Sequence, residues 1–283
     1  MKLKDFFFSF SQTISFELEK KKYFKAIRKT IYFPYKFILN QIRILLLINK
    51  KNIDNLKINF NENLDELFKK FNSDKGSKLE INGKIIRGHN YSPFYEKYLK
   101  KYKEQKNLTI LEIGTLKGAA AASFYHYLSN PKIFCIDVNP FQTFFFSKNI
   151  RTIYSNTQSK KNIHNLVKYF DFDFDIIIDD GSHNVKDQLL TLNAFLPKLK
   201  KEGIYIIEDI NQYLAFPHLN PDKIKNVTKK FLESILKKEI EIPECLTNSE
   251  SENIKNNIKT IFFEKGEYIY KNINISDIVF IEK

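Results

Sequence analysis

From residue 108 to residue 207 the chain repeats one pattern: a short run that is apolar on both faces, a loop, then a stretch with helical spacing. The runs are Leu108 to Ile113, Lys132 to Val138, Ile150 to Tyr154, Asp175 to Ile178 and Gly203 to Ile207. Ala119 to Leu128 and Val185 to Leu199 are predicted helices between them. A strand without a polar face must be covered on both sides, and an intervening helix lets the chain cross over and start the next strand in the same direction. The pattern therefore predicts an α/β fold, a mostly parallel sheet flanked by helices. The C-terminal end differs. Ile258 to Glu264 and Glu267 to Tyr270, joined across Lys265-Gly266, predict an antiparallel hairpin, with a further strand at Ile278 to Ile281.

The spacing divides the chain into a helical appendage over 1–70, a polar loop segment over 71–94, and the main domain over 95–283. Within the first part, Asn61 to Phe71 has helical spacing at Leu64, Leu67 and Phe71. Tyr91 to Tyr102 is a predicted helix with Pro93 in its first turn, where a missing N–H costs least. Charge is uneven: residues 1–51 hold 12 Lys/Arg and 3 Asp/Glu, so +9 of the formal +13 lies there. A basic, aromatic leader of this kind suits contact with an anionic lipid surface, nucleic acid or an acidic partner, or plain packing on the main domain or a second subunit. No stretch has the roughly 18 to 20 apolar residues of a spanning helix, and no signal peptide is recognised. Cys135 and Cys245 are too few for a disulfide framework or a zinc module and suit a reducing compartment. The expected location is cytoplasmic, with residues 1–51 able to lie peripherally on the inner face of a membrane.

In an open parallel sheet, ligands bind at the carboxyl ends of the strands where strand order reverses. The first such loop reads Leu111-Glu112-Ile113-Gly114-Thr115-Leu116-Lys117-Gly118. Gly114 allows a sharp turn close to a ligand, and Gly118 allows close helix packing. The spacing is not G-x-G-x-x-G, so a dinucleotide pyrophosphate is not the expected ligand. An acid at Glu112 suits an ammonium group. Asp137 ends the second strand, where a carboxylate can accept both hydroxyls of a ribose. Together these residues resemble the S-adenosylmethionine site of class I (Rossmann-like) methyltransferases, which implies cofactor contacts from Glu112, Gly114, Thr115, Gly118 and Asp137, with Asn156 near the adenine and Asp179 in the same group.

Strands four and five end in paired acids, Asp179-Asp180-Gly181-Ser182-His183 and Glu208-Asp209. Acids gathered at neighbouring strand tips repel and raise one another's pKa unless a cation stands between them. A hard divalent ion such as Mg²⁺ held by Asp180, Glu208 and Asp209 is therefore expected, with His183 taking the proton of a substrate hydroxyl. Helix capping by Asp180 or Ser182 is the competing explanation for either pair alone.

D-D-G-S-H followed by E-D is similar to the macrocin and mycinamicin O-methyltransferase group, whose relatives include the cephalosporin hydroxylase-like proteins. The resemblance extends to Asp74-Lys75-Gly76 and His89-Asn90-Tyr91, and covers about residues 72–215. It implies Mg²⁺ at the acids, His183 as general base, and Lys75, His89 and Tyr91 lining the substrate pocket. It also implies an oligomer and a sugar or glycosylated small molecule as acceptor, such as a surface glycan precursor. Lys78 to Arg87 looks like an insertion, a loop or small hairpin around Asn82-Gly83. The expected activity is that of a metal-assisted O-methyltransferase. An RNA or protein methyltransferase and a non-catalytic scaffold of the same fold are the rivals; nucleic acid is the less expected partner because basic residues are not interleaved with stacking aromatics along a groove.

Overall fold

The computed structural model describes residues 1–58 and 62–283. Seven strands form the main sheet: β1 (Thr109–Ile113), β2 (Lys132–Asp137), β3 (Ile150–Tyr154), β4 (Phe174–Asp179), β5 (Leu199–Ile207), β6 (Thr260–Lys265) and β7 (Asp277–Glu282). Their order is β6-β7-β5-β4-β1-β2-β3. β1 to β5 run parallel, and β7 is antiparallel to both β5 and β6. Every apolar run anticipated as a strand is one, and β1 has β2 on one side and β4 on the other. That reversal opens the crevice at the strand tips beyond β1.

Nine helices are described: α1 (Leu3–Glu19), α2 (Tyr23–Leu45), α3 (Leu64–Phe71), α4 (Ser92–Leu99), α5 (Ala119–Tyr127), α6 (Lys160–Tyr169), α7 (Val185–Phe195), α8 (Thr228–Lys237) and α9 (Asn248–Asn256). Both faces of the sheet are covered, as strands apolar on both faces require. One face carries Leu111, Phe134, Ile177, Tyr205 and Ile281 under α6, α7 and α8. The other carries Ile110, Cys135, Ile176, Ile206 and Phe280 under α3, α4 and α5. Burying one such side chain contributes roughly 1.5–3 kcal/mol, so these two layers dominate stability.

Two boundaries move. α3 belongs to the second core layer, not to the appendage: Leu64, Leu67, Phe68 and Phe71 are buried, with Phe68 packed edge-on against Phe124 and Tyr95. The helix starts at Leu64, capped by Asn63, whose side chain accepts from Glu66 N while Glu66 accepts from Asn63 N. Asn61, the expected start, lies outside the described residues. The C-terminal hairpin is also re-paired. β6 pairs with β7 along its whole length, while Ile269–Tyr270 forms a small ladder with Ile273–Asn274. The cause is Gly266, whose N–H donates to Ser276 O at 2.7 Å and whose missing Cβ makes room for His89 O. The chain is diverted there before Glu267 to Tyr270 can turn back on β6.

Residues 78–87 do form a hairpin, Lys78–Ile81 against Lys84–Arg87, around Asn82 and Gly83 at φ of 51° and 75°. Both turn residues are in the left-handed region, the pairing that suits a tight two-residue turn. α1 lies across β3, the free edge of the sheet. Tyr154 N donates to Ser9 Oγ at 3.0 Å, and Asp5 is held by Arg151 and by Tyr169 Oη at 2.6 Å. The face of α1 that is buried is thus its polar one: Asp5, Ser9, Gln12, Thr13 and Glu17. Among the described residues, no helix is long and apolar enough to cross a membrane.

Candidate active site

The acids at the tips of β4 and β5 are separated by the two-residue alternation of a strand. Asp179 turns inward. Its carboxylate accepts from the Thr191 hydroxyl and from Gly181 N at 3.3 Å, and burial pushes its pKa up to about 7. It does not line the crevice, which corrects its expected place among the cofactor residues. Asp180 turns outward, and Gly114 makes this possible. Gly114 sits at φ 86°, and a Cβ there would lie 1.9 Å from Asp180 O. The glycine is required by the approach of one loop to the other as well as by the turn.

Lys75 fills the space between the acids. Its Nζ, buried, donates to Asp180 and to Glu208 Oε2 at 2.7 Å. Burial alone would lower the lysine's pKa, but Asp180 and Glu208 hold it well above the usual range. Burial and the Asp180 charge raise Glu208 to about 8, with Lys75 opposing them. The other Glu208 oxygen accepts from Tyr95 Oη. Glu208, expected as a metal ligand, is therefore engaged on both oxygens by the chain itself, because α4 carries Tyr95 beneath the strand tip. The cation that the crowded acids require is in part an ammonium of this protein.

Asp209 is buried. It adopts φ 56°, and His183 φ 53°, so both depart from the strand conformation to reach one point. Tyr91 Oη donates to Asp209 Oδ1 at 2.5 Å, Gln212 Nε2 donates to Oδ2 at 2.8 Å, and His89 Nδ1 lies 3.3 Å from Oδ1. Burial would raise the Asp209 pKa, but the His89 bond and charge hold it below the ordinary carboxylate value. Burial likewise opposes, and the Asp209 bond prevails, in raising His89 to about 9. Lys75, His89 and Tyr91 thus form the wall behind the acids.

Asp180, His183 and Asp209 each offer one ligand atom, all within 4.8 Å of one another. His183 Nδ1 is buried without a hydrogen-bond partner and lies 3.9 Å from Asp209 Oδ2, while Nε2 lies 3.9 Å from Asp180 Oδ1. An imidazole set between two carboxylates, with its Nδ1 orphaned and both contacts too long for hydrogen bonds, fits a divalent cation with oxygen and nitrogen ligands.

A cleft of about 320 Å³ opens beside this group, lined among others by Gly114, Asp137, Asn156, Thr157, Gly181 and Ser182. Asp137 Oδ2 accepts from Leu116 N at 2.9 Å and Oδ1 from Asn139 N at 2.7 Å. Glu112, Thr115 and Gly118 do not line it. Glu112 is buried below the loop, where burial raises its pKa to about 7 and Cys135 Sγ donates to it at 3.6 Å. Thr115 is buried, and Gly118, at φ 79°, caps the N-terminus of α5.

Four participants were not singled out from sequence. Tyr95 follows Tyr91 by one helical turn, so the shared face was a usable signal. Gln212 follows Asp209 by three residues, and Ser182 stands inside the D-D-G-S-H run. Ser276, whose Oγ lies 3.0 Å from His89 Nδ1, comes from the far end of the chain and left no signal.

Residues 111–210 match the family described as a methyltransferase domain. Demethylmacrocin O-methyltransferase of Streptomyces fradiae is 24% identical over 129 residues, which are 43% of this chain and 32% of that protein. Mycinamicin VI 2''-O-methyltransferase of Micromonospora griseorubida is 25% identical over 129 residues, with the same shares. The chain thus spans about a third of the length of these curated relatives. Among solved structures, the MycE methyltransferase of the mycinamycin biosynthetic pathway, in complex with Mg, SAH and mycinamycin VI, superposes with a TM-score of 0.56 at 20% identity. That match covers 78% of this chain and 54% of that one. The fold is that of the class I methyltransferases.

Proposed function

We propose that this chain, which carries a methyltransferase domain of the class I fold, is an S-adenosylmethionine-dependent, divalent-metal-assisted O-methyltransferase. The observation that carries the reading is the convergence of Asp180, His183 and Asp209 beside the cleft lined by Gly114, Asp137 and Asn156.

When bound, S-adenosylmethionine supplies an electrophilic methyl group, and a hard divalent cation lowers the pKa of an acceptor hydroxyl. Asp180 and Asp209 would hold the cation. Asp137, anchored by the Leu116 and Asn139 amides, is positioned to accept from the ribose hydroxyls, and Asn156 offers hydrogen bonds to the adenine edge. His183, partly open to solvent, would take the proton from the acceptor oxygen. Lys75 and Tyr95 fix Glu208, and His89, Tyr91 and Gln212 fix Asp209, so that both carboxylates keep their orientation. Methyl displacement depends on alignment, which rigid packing of this kind supplies.

The acceptor we propose is a hydroxyl of a sugar or glycosylated small molecule, on the strength of the named relatives' substrates. The proximity of His183 to both carboxylates favours a second role for it, as a third metal ligand. One experiment tests both points: wild-type protein and His183→Ala, incubated with S-adenosylmethionine and Mg²⁺ against nucleotide sugars and glycosides, read by a mass gain of one methyl group, with Mn²⁺ affinity measured alongside. The reading expects methylation by the wild type and weakened Mn²⁺ affinity in the variant. A variant that loses metal affinity makes His183 a ligand, and no methylation of any glycoside removes the proposed acceptor class.

A further inference from the structure

α2 has two apolar faces and only one partner. Its inner face is set by Ala26, Phe33 and Asn40, which are buried at heptad spacing. Phe33 packs on Phe6 and Phe10 of α1 and on Phe141 and Tyr154 of the main domain. On the opposite side Phe24, Ile27, Ile31, Ile38, Ile42 and Leu45 follow one another by three, four or seven residues, which places them in one stripe along the helix. All are exposed, Ile31 by 75% and Leu45 by 81%. Isolated apolar side chains on a surface need no explanation, but a continuous stripe along six turns does.

Charge decides what covers it. From Lys20 to Ile53 the sequence has ten Lys or Arg and no Asp or Glu. Lys25, Arg28, Lys36 and Arg43 fall along one flank of the stripe, between it and the buried face, and Lys29 is answered by Glu17 at 2.6 Å. Packing this face on the same face of a second copy would bring cations together with no acid on either helix to answer them. A surface with fixed negative charge above an apolar layer satisfies both features at once. α2 is not apolar enough to cross a bilayer.

We propose that α2 lies in the plane of an anionic lipid bilayer, with its outer stripe at the acyl boundary and Lys25, Arg28, Lys36 and Arg43 among the headgroup phosphates. Its seat on Phe141 and Tyr154 joins it to the tips of β2 and β3, whose Asp137 and Asn156 line the cleft. The bilayer would therefore lie beside the strand tips and not at the opposite end of the sheet.

The chain has no Trp, so Ile38→Trp introduces a single emission reporter into the full-length protein. The expected results are a blue shift and co-sedimentation with vesicles of phosphatidylglycerol in phosphatidylcholine, and weaker binding to phosphatidylcholine alone. Neutralising Lys25, Arg28 and Lys36 to Gln should weaken anionic-vesicle binding by about 100-fold, and pairing Ile27→Ser with Ile31→Ser should abolish the sedimentation. These positions are exposed except Lys36, which is half-buried, and an unchanged thermal transition would verify that each variant folds. Equal binding to both vesicle types, or none to either, overturns the proposal. So does a blue shift without lipid accompanied by a doubled mass in sedimentation equilibrium, which assigns the stripe to a second copy. None of these readouts uses turnover, so the proposed reaction and the proposed docking stand or fall separately.

Discussion

The strand-tip site and α2 treat charge in opposite ways. At the tips of β4 and β5, carboxylates are buried or half-buried and each is matched to a named donor: Asp180 and Glu208 to Lys75, Glu208 to Tyr95, Asp209 to Tyr91, His89 and Gln212. In α2 Lys25, Arg28 and Arg43 are open to solvent and apolar side chains face outward with them. The difference is one of where the complement resides. Buried charges carry their partners within the chain, since an unpaired one would cost several kcal/mol, whereas α2 has a composition that only something outside the chain completes. Perturbation should therefore be large and specific in the first region, and near silent in the second until a lipid surface is supplied.

The largest expected effect separates His183 from the carboxylates around it. His183→Ala should lower turnover by about 10²–10⁴-fold, the usual contribution of a positioned general base. S-adenosylmethionine affinity by calorimetry should stay unchanged, because His183 does not line the cleft beside Asp137. Equal turnover in the variant would show that the charged cluster is structural only.

Next is the pairing itself. Lys75→Met leaves Asp180 and Glu208 buried side by side without their ammonium, and should destabilise the protein by about 3–5 kcal/mol, the cost of breaking a buried ion pair. Thermal melts with and without Mg²⁺ sharpen the point: added Mg²⁺ should recover more stability in this variant than in the wild type. A variant as stable as the wild type would mean that the acids are protonated and that no cation is needed.

The same contrast explains what was legible in the sequence. The sheet was, because strands apolar on both faces and separated by helices have one common solution, and the acids were, because they end those strands. Both Asp179 and Asp180 were expected at the crevice, although the alternation of a strand turns Asp179 inward to Thr191. Lys75 as the counter-charge was not legible, since it is 105 residues from Asp180 and its distance is set by packing of α3 and α4 on the sheet. The buried face of α1 inverted the usual reading. Asp5, Ser9 and Glu17 are inside because Arg151, Tyr154 N and the Lys29 ammonium meet them there, which helical periodicity of apolar residues does not report.

A smaller effect tests a buried acid that has no cation bound to it. Burial raises Glu112 to about 7, against the Lys75 charge. The folded state therefore holds a proton between the ordinary glutamate value and pH 7 that the unfolded chain has already released. Its contribution is fully present below about pH 4.5 and is lost as pH rises through 7. The loss amounts to about 3 kcal/mol at most, at 1.36 kcal/mol per pKa unit. Glu112→Gln should flatten this slope and be the more stable form at pH 8, measured by urea unfolding across that range. An unchanged slope would place the carboxylate in contact with water or a cation.

The smallest effect falls where the comparison is most exposed to failure. Ile31→Ser on α2 removes a side chain that is 75% exposed, so in buffer it should shift stability by no more than about 0.5 kcal/mol, as surface substitutions away from specific contacts do. Phe33, two residues on but on the inner face, sits among Phe6, Phe10, Phe141 and Tyr154, and Phe33→Ala should cost about 3–5 kcal/mol. The two substitutions share one helix and differ only in the face they strip. If Ile31→Ser proved nearly as damaging in dilute buffer as Phe33→Ala, the outer stripe would already be packed against protein, and the division between a self-paired site and a helix completed from outside would collapse.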